Sequence, residues 1–130
     1  MASAKTILLV DDDRDILVSL QSVLQAKGYR VITARDGLAG LELAASSRPD
    51  LVIVDMMMPK QSGFVVVDQL KSRGADCPKM IMMTANEGAR HRAYAEMLGV
   101  DDYLRKPFAL DSFLASVERL CPAADPPRPD

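Results

Sequence analysis

The sequence predicts an α/β protein: a single doubly wound domain in which a parallel sheet carries helices on both faces. Three observations lead there. Five short apolar runs alternate with five stretches whose apolar residues recur at helical spacing. Such alternation builds a parallel sheet, because each crossover between parallel strands needs room for a helix. At 130 residues the chain suffices for one such domain and is too short for two.

KTILLV (5–10) is a continuous apolar run, the pattern of a strand covered on both faces. Residues 14–27 set Ile16, Leu17, Leu20, Val23 and Leu24 on a helical period, and Gly28 suits the cap that ends the helix. RVITA (30–34) is a second, more amphipathic strand, after which Asp36 and Gly37 turn the chain into a helix carrying Leu38, Leu41, Leu43 and Ala44. LVIVD (51–55) is the third strand, and the helix over 63–72 turns Val66, Val67 and Leu70 inward. KMIMMT (79–84) is the fourth strand. Ala89, Ala93 and Met97 mark one face of the next helix, which Gly99 ends. DYLRK (102–106) is the fifth strand, and residues 110–120 form the last helix, with Phe113, Leu114, Val117 and Leu120 on its apolar side.

Proline marks the boundaries. Pro49, Pro59, Pro78 and Pro107 each flank a short apolar run, where strands begin or end. The other four of the eight prolines fall in CPAADPPRPD (121–130), which is too poor in apolar residues to fold and cannot continue a helix. The folded domain is therefore expected over 5–120, with a short tail (1–4) before it and a Pro-rich disordered tail or linker start (121–130) after it.

Apolar residues make up 48% and charged residues 26%, as in a soluble globular protein. The net charge is -2 and the basic residues are scattered, which argues against direct nucleic-acid binding. No apolar run reaches membrane-spanning length and MASAK lacks a signal-peptide apolar region, so no membrane association is expected and the cytoplasm is the expected location. Cys77 and Cys121 have no CxxC or His partner at ligand spacing and read as incidental thiols. His91, in a polar helical stretch, reads as a solvated surface residue.

In doubly wound sheets ligands bind beyond the carboxyl ends of the strands, where the strand order reverses. Strand one runs into Asp11, Asp12 and Asp13; strand three ends in Asp55, strand four in Thr84 and strand five in Lys106. A lone Asp at a strand tip is ordinarily a turn former, and one member of a triplet serves as a helix cap. Three acids facing a fourth repel one another unless a cation intervenes. Hard oxygen ligands without Cys or His point to Mg²⁺, which keeps several waters and bridges to phosphate oxygens. A phosphoryl group on this rim would want a positive point charge and a hydroxyl donor, the types of Lys106 and Thr84.

VDDD (10–13), VDMMMPKQSG (54–63), MTA (83–85) and GVDDYLRKPF (99–108) together resemble the receiver domain of two-component response regulators, in order and over residues 5–120. The resemblance implies a flavodoxin-like strand order, 2-1-3-4-5. It makes Asp55 the phosphoacceptor, Asp12 a direct Mg²⁺ ligand, Asp11 an acidic partner acting through water, and the backbone carbonyl of Met57 a further ligand. Thr84 becomes the hydroxyl that binds a phosphoryl oxygen, Lys106 the cation beside it, and Tyr103 an aromatic switch; the Lys106–Pro107 bond is implied to be cis. Asp13 exceeds the acidic pair and is left to cap a helix.

The resemblance further implies a sensor histidine kinase or histidine phosphotransfer protein as donor. A downstream output protein or domain would read the face of helix four, strand five and helix five. The chain would be a signalling phosphoacceptor, not an enzyme, that promotes its own phosphorylation and dephosphorylation. A phosphorylation-dependent dimer through the fourth and fifth helices is compatible with the sequence, which carries no charge pattern specific to it. Met57 and Asn86 occupy positions that tune water access, and an apolar Met57 offers no hydrogen bond to orient a water, so slow to moderate decay is expected.

Three other readings compete with this one. Asp11-Asp12-Asp13 contains the D-x-D spacing of haloacid-dehalogenase-like phosphatases, with Asp11 as nucleophile and Asp101-Asp102 as a later acidic pair. That motif expects Thr or Val where Asp15 stands, finds no cap segment and leaves Asp55 without a role. A redox flavodoxin would want Ser, Thr or Gly donors in a loop that here is acidic. A phosphorylation-inactive receiver-like binding module is the remaining alternative, against which Asp12, Asp55, Thr84 and Lys106 stand intact.

Overall fold

A strand apolar at every position is stable only with both faces covered, whereas an amphipathic strand tolerates an edge. That contrast orders the sheet. The computed structural model describes residues 4–58, 62–85 and 89–123. Its strands are β1 (Thr6–Val10), β2 (Arg30–Ala34), β3 (Leu51–Asp55), β4 (Lys79–Thr84) and β5 (Asp102–Arg105). They pair in parallel in the order β2-β1-β3-β4-β5, as expected. The three uninterrupted apolar runs take the centre, and the partly covered β2 and β5 take the edges.

Five helices alternate with the strands: α1 (Arg14–Ala26), α2 (Gly37–Ser47), α3 (Gly63–Lys71), α4 (Ala89–Leu98) and α5 (Leu110–Leu120). Three begin on side-chain caps that satisfy otherwise unpaired amides. Asp13 accepts from the Asp15 and Ile16 N–H groups, Asp36 from Ala39, and Ser62 from Val65. After α1 the chain reverses at Gly28, whose φ of 96° is a conformation that a side chain would resist.

Alternate residues of the strands feed two apolar layers. Ile7, Leu9, Ile53 and Ile81 face Leu17, Leu20 and Leu24 of α1 and Phe113 and Val117 of α5. Leu8, Val10, Val52, Val54 and Met82 face Ala44 of α2, Val66, Val67 and Leu70 of α3, and Ala95 of α4. Each full burial of a side chain this size contributes about 1.5–3 kcal/mol. The register pairs Val10 with Val54, Asp55 with Met83 and Thr84 with Arg105. The residues just past these pairs therefore share one rim.

The structure corrects four expectations. On α4, Ala93 is exposed and Met97 is 81% exposed, while Ala95 is fully buried. Among its described side chains Ala95 is the fully buried one and Leu98 packs partly buried against the same layer, so the inner face is marked by little apolar contrast. On α2, Leu38 points to solvent, and Gly37, Gly40 and Ala44 lie inward. The helix lies so close to β1 that a Cβ on Gly40 would sit 3.0 Å from the Val10 side chain. Strand β5 stops at Arg105, leaving Lys106 just beyond its end. Cys121, assigned to the tail, is buried, and its carbonyl accepts a 2.6 Å hydrogen bond from the Tyr29 hydroxyl, so packing runs past Leu120. Pro59, Asn86, the His91 side chain and the tail from residue 124 onward lie outside the described residues. Among the described residues no helix is long and apolar enough to cross a membrane.

The α4 assignment has a direct test. Ala95→Asp should lower unfolding stability by about 2 kcal/mol or more, because it buries an unpaired carboxylate, and Ala93→Asp should stay within about 0.5 kcal/mol. Urea unfolding of both variants checks this; equal losses would contradict it.

Candidate functional site

The chain leaves β1 at a buried acid. Asp11 is fully buried; its N–H donates to the Ala34 carbonyl (3.1 Å), and its Oδ1 accepts from the Asp13 N–H (2.9 Å). Asp12, next to it, is exposed. Asp13 turns away to cap α1, as its surplus over an acidic pair suggested.

Asp55 ends β3 and is 5% exposed. Its neighbourhood is fixed by backbone contacts. The Met56 N–H donates to the Met83 carbonyl (2.8 Å), and the Gly63 N–H donates to the Met56 carbonyl (2.9 Å). A Cβ on Gly63 would lie 2.3 Å from the Asp55 carbonyl oxygen and 2.8 Å from the Met56 Cα, so α3 can start against the acid only with glycine there. The sequence reading missed this role, although a glycine opening the helix that follows a functional turn is the signal that could have shown it. Met56 is fully buried in the core against α3. Met58 is partly buried against the same layer. The Met57 side chain is 60% exposed, and its N–H donates to Asp55 Oδ1 (3.2 Å).

Lys106 closes the rim. Its N–H donates to the Thr84 carbonyl (2.6 Å), which aligns it with the buried end of β4. Its ammonium lies 2.7 Å from Asp11 Oδ2 and 3.4 Å from Asp55 Oδ2. The Lys106–Pro107 bond is cis. Tyr103 is set back from the rim, paired with Met82 in register. Its hydroxyl is buried without a hydrogen-bond partner among the described residues, and burial pushes its ionisation above the ordinary tyrosine value, with the Thr84 hydroxyl and the Arg92 charge opposing that rise only in part. The Arg92 guanidinium sits 5.8 Å from its ring centre.

The charges explain what the rim lacks. Burial, and then the charge of Asp11, raises Asp55 to about 6; Lys106 and the Met57 amide oppose that rise without cancelling it. Burial would lower Lys106, but its hydrogen bond to Asp11 and the two carboxylate charges outweigh it and hold the ammonium above its ordinary value. One carboxylate oxygen from each of Asp11, Asp12 and Asp55 lies within 4.8 Å of the others. Three hard oxygen donors with too little positive charge among them fit a small divalent cation such as Mg²⁺.

The later acidic pair of the phosphatase reading stands elsewhere. Asp101 accepts from the Met80 N–H (2.8 Å), and Asp102 accepts from the Ser116 hydroxyl and from Arg119 (2.9 Å). Both sit where the edge strand β5 begins, level with Ile81 and three strands across the sheet from β1, and both are engaged there, so they cannot complete that site.

The receiver domain model of response regulators matches residues 7–118 of this chain. The response regulator MprA of Mycobacterium sp. (strain KMS) is 43% identical over 120 residues, covering 92% of this chain and 52% of the relative. MprA of Mycolicibacterium vanbaalenii is 46% identical over 114 residues, covering 88% and 49%. The chain thus spans about half the length of these curated relatives. Among solved structures, chemotaxis protein CheY4 of Vibrio cholerae superposes with a TM-score of 0.84 at 28% identity, covering 91% of this chain and 99% of that one. Response regulator protein TrrA of Thermotoga maritima, solved in complex with Mg(2+)-BeF, superposes at 0.80 with 34% identity, covering 89% and 98%.

The raised Asp55 value makes stability depend on pH. Below about 4 the carboxyl is protonated in both the folded and the unfolded chain. Between about 4 and 6 only the folded chain holds the proton, so stability falls as pH rises, by at most about 3 kcal/mol. In EDTA, Asp55→Asn should therefore raise Tm over the unsubstituted protein at pH 7.5 and not at pH 4, and Mg²⁺ should narrow the gap at pH 7.5. A scanning-calorimetry series checks this; a gap independent of pH would contradict it.

Proposed function

This chain belongs to the response regulator receiver family, and from that membership we propose that it takes a phosphoryl group from a partner's phosphohistidine onto Asp55. The observation that carries the reading is a buried strand-end carboxylate, raised to about 6, with Lys106 3.4 Å away and two more acids beside it. At neutral pH most of Asp55 is ionised and needs no general base. A carboxylate oxygen attacks phosphorus, a P–O bond forms, and the donor P–N bond breaks with its electron pair leaving on the imidazole.

Asp11, Asp12, Asp55 and the Met57 carbonyl would hold Mg²⁺, which when bound neutralises charge among the acids and the transferring oxygens. The Lys106 ammonium meets a phosphoryl oxygen as a fixed positive charge, and the Thr84 hydroxyl donates to another. Positioning and electrostatics of this kind are the main catalytic resource in phosphoryl transfer. Water attacking the acyl phosphate ends the signal, so the chain promotes both its own phosphorylation and its dephosphorylation.

The donor has to bring its phosphorus to bonding distance of Asp55, so the donor protein must cover this rim. An apolar cleft of about 430 Å³ adjoins it, lined by Ile16 and Leu20 of α1 with Ala85, Pro107 and Phe108, and it reaches Lys106. A histidine kinase or histidine phosphotransfer protein would rest there. On the output side, Thr84 drawn toward the phosphoryl group would free the space into which Tyr103 moves, remodelling the surface of α4, β5 and α5 for an output partner or domain.

Incubation with Mg²⁺ and acetyl phosphate, followed by mass spectrometry, tests the acceptor. Label on Asp55, absent in Asp55→Asn and blocked by EDTA, is expected; label on Asp11, or none, would refute the proposal. Ile16→Glu should retain acetyl phosphate labelling and slow transfer from a phosphorylated donor protein roughly tenfold or more. Equal slowing of both would show that Ile16 serves the fold and not the donor.

A further inference from the structure

The opposite end of the sheet carries a second polar cleft, of about 500 Å³, lined by Ala45, Arg48, Pro49, Arg73, Asp76 and Pro78. Three features bear on what it could hold. Arg48, at the end of α2, has φ 48° and ψ 63°, and among the described residues it alone holds a positive φ without being glycine. That left-handed residue closes α2, its N–H donating to the Ala44 carbonyl (3.2 Å), a position that glycine or asparagine takes at lower cost. Arg73 is half-buried, yet of its five N–H donors it commits one, at 3.4 Å, to the Ala44 carbonyl. Neither guanidinium has a carboxylate within 4.0 Å among the described residues, although Asp76 lines the same cleft. Arg119, by contrast, pairs with Asp102.

We propose that this cleft binds a small organic phosphate, with Arg48 and Arg73 taking the phosphoryl oxygens and the Ala45, Pro49 and Pro78 walls taking the body of the ligand. With Asp76 in the same cleft the two guanidiniums leave a net positive charge, and each guanidinium presents parallel N–H donors that suit phosphoryl oxygens. A phosphoryl group offers three acceptor oxygens to the two guanidiniums, whereas a carboxylate offers two. The proline walls are rigid, so the apolar contact requires little ordering on binding. The cleft lies at the N-terminal ends of the strands and the phosphoacceptor rim at their C-terminal ends, so occupancy here is independent of Asp55 chemistry.

Amide NMR titration with phenyl phosphate, in EDTA so that no metal recruits the ligand to the acidic rim, tests the site. Saturable shifts are expected at Ala45, Arg48, Arg73 and Asp76, with inorganic phosphate weaker because it has no body to lay on the prolines. Arg48→Gly should weaken binding roughly tenfold while Tm holds or rises, a combination that a purely structural role for Arg48 would not produce. Acetyl phosphate labelling of Asp55 should be unchanged in that variant, which separates this site from the proposed acceptor function. No saturable shift at concentrations on the order of 10 mM, equal shifts in Arg48→Gly/Arg73→Gln, or shifts confined to the Lys106 rim would each overturn the proposal. Inorganic phosphate binding as tightly as phenyl phosphate would overturn the part assigned to the apolar walls.

Discussion

The Lys106 ammonium stands 2.7 Å from Asp11 and 3.4 Å from Asp55, and the rest of the site depends on that placement. Two buried carboxylates at the tips of neighbouring central strands would repel one another without relief. A single lysine brought in by the strand beyond β4 relieves part of the repulsion and leaves the remainder for a divalent cation. The doubly wound fold makes this possible, because the chain leaves β1 and β3 at the reversal point of the strand order. Each acid is held by its own strand, so the sheet resists the drift that would let the charges separate.

Holding the acids apart from solvent asks for tight local packing, and glycine supplies it in two places. At Gly63 the first turn of α3 touches the backbone of β3, where any Cβ would strike the Asp55 carbonyl at 2.3 Å. At Gly40 helix α2 lies against Val10, one residue before the acidic pair. Both contacts lie within one residue of a functional acid, so a side chain at either would shift the rim as well as loosen the core. The three methionines after Asp55 divide accordingly. Met56 is core, Met58 is half in the core, and Met57 offers its backbone to the site with its side chain in solvent.

Much of the fold was legible because its signals are strong. Uninterrupted apolar runs mark β1, β3 and β4 as central, and Asp13 and Asp36 stand where helices start. The rim residues were legible for a different reason: polar groups of complementary chemistry fall at the ends of separate strands, and only a shared rim brings them together. The inner faces of α2 and α4 were misread because small residues do the packing there. Gly40 and Ala95 carry little hydrophobic contrast, and the larger Leu38 and Met97 point to solvent. The division between Asp11 and Asp12 was also illegible. Which of two adjacent acids is buried against the lysine depends on strand twist and register, and residue type says nothing of either.

The central claim is that the rim is short of positive charge in proportion to the carboxylates it buries, and carbon-13 NMR of the Asp55 side-chain carboxyl tests it most directly. In EDTA the carboxyl should titrate near 6, move higher in Lys106→Met and lower in Asp11→Asn, and fall below the ordinary carboxylate range when Mg²⁺ is added. A carboxyl that titrates at its ordinary value in EDTA and responds to neither substitution would contradict the account.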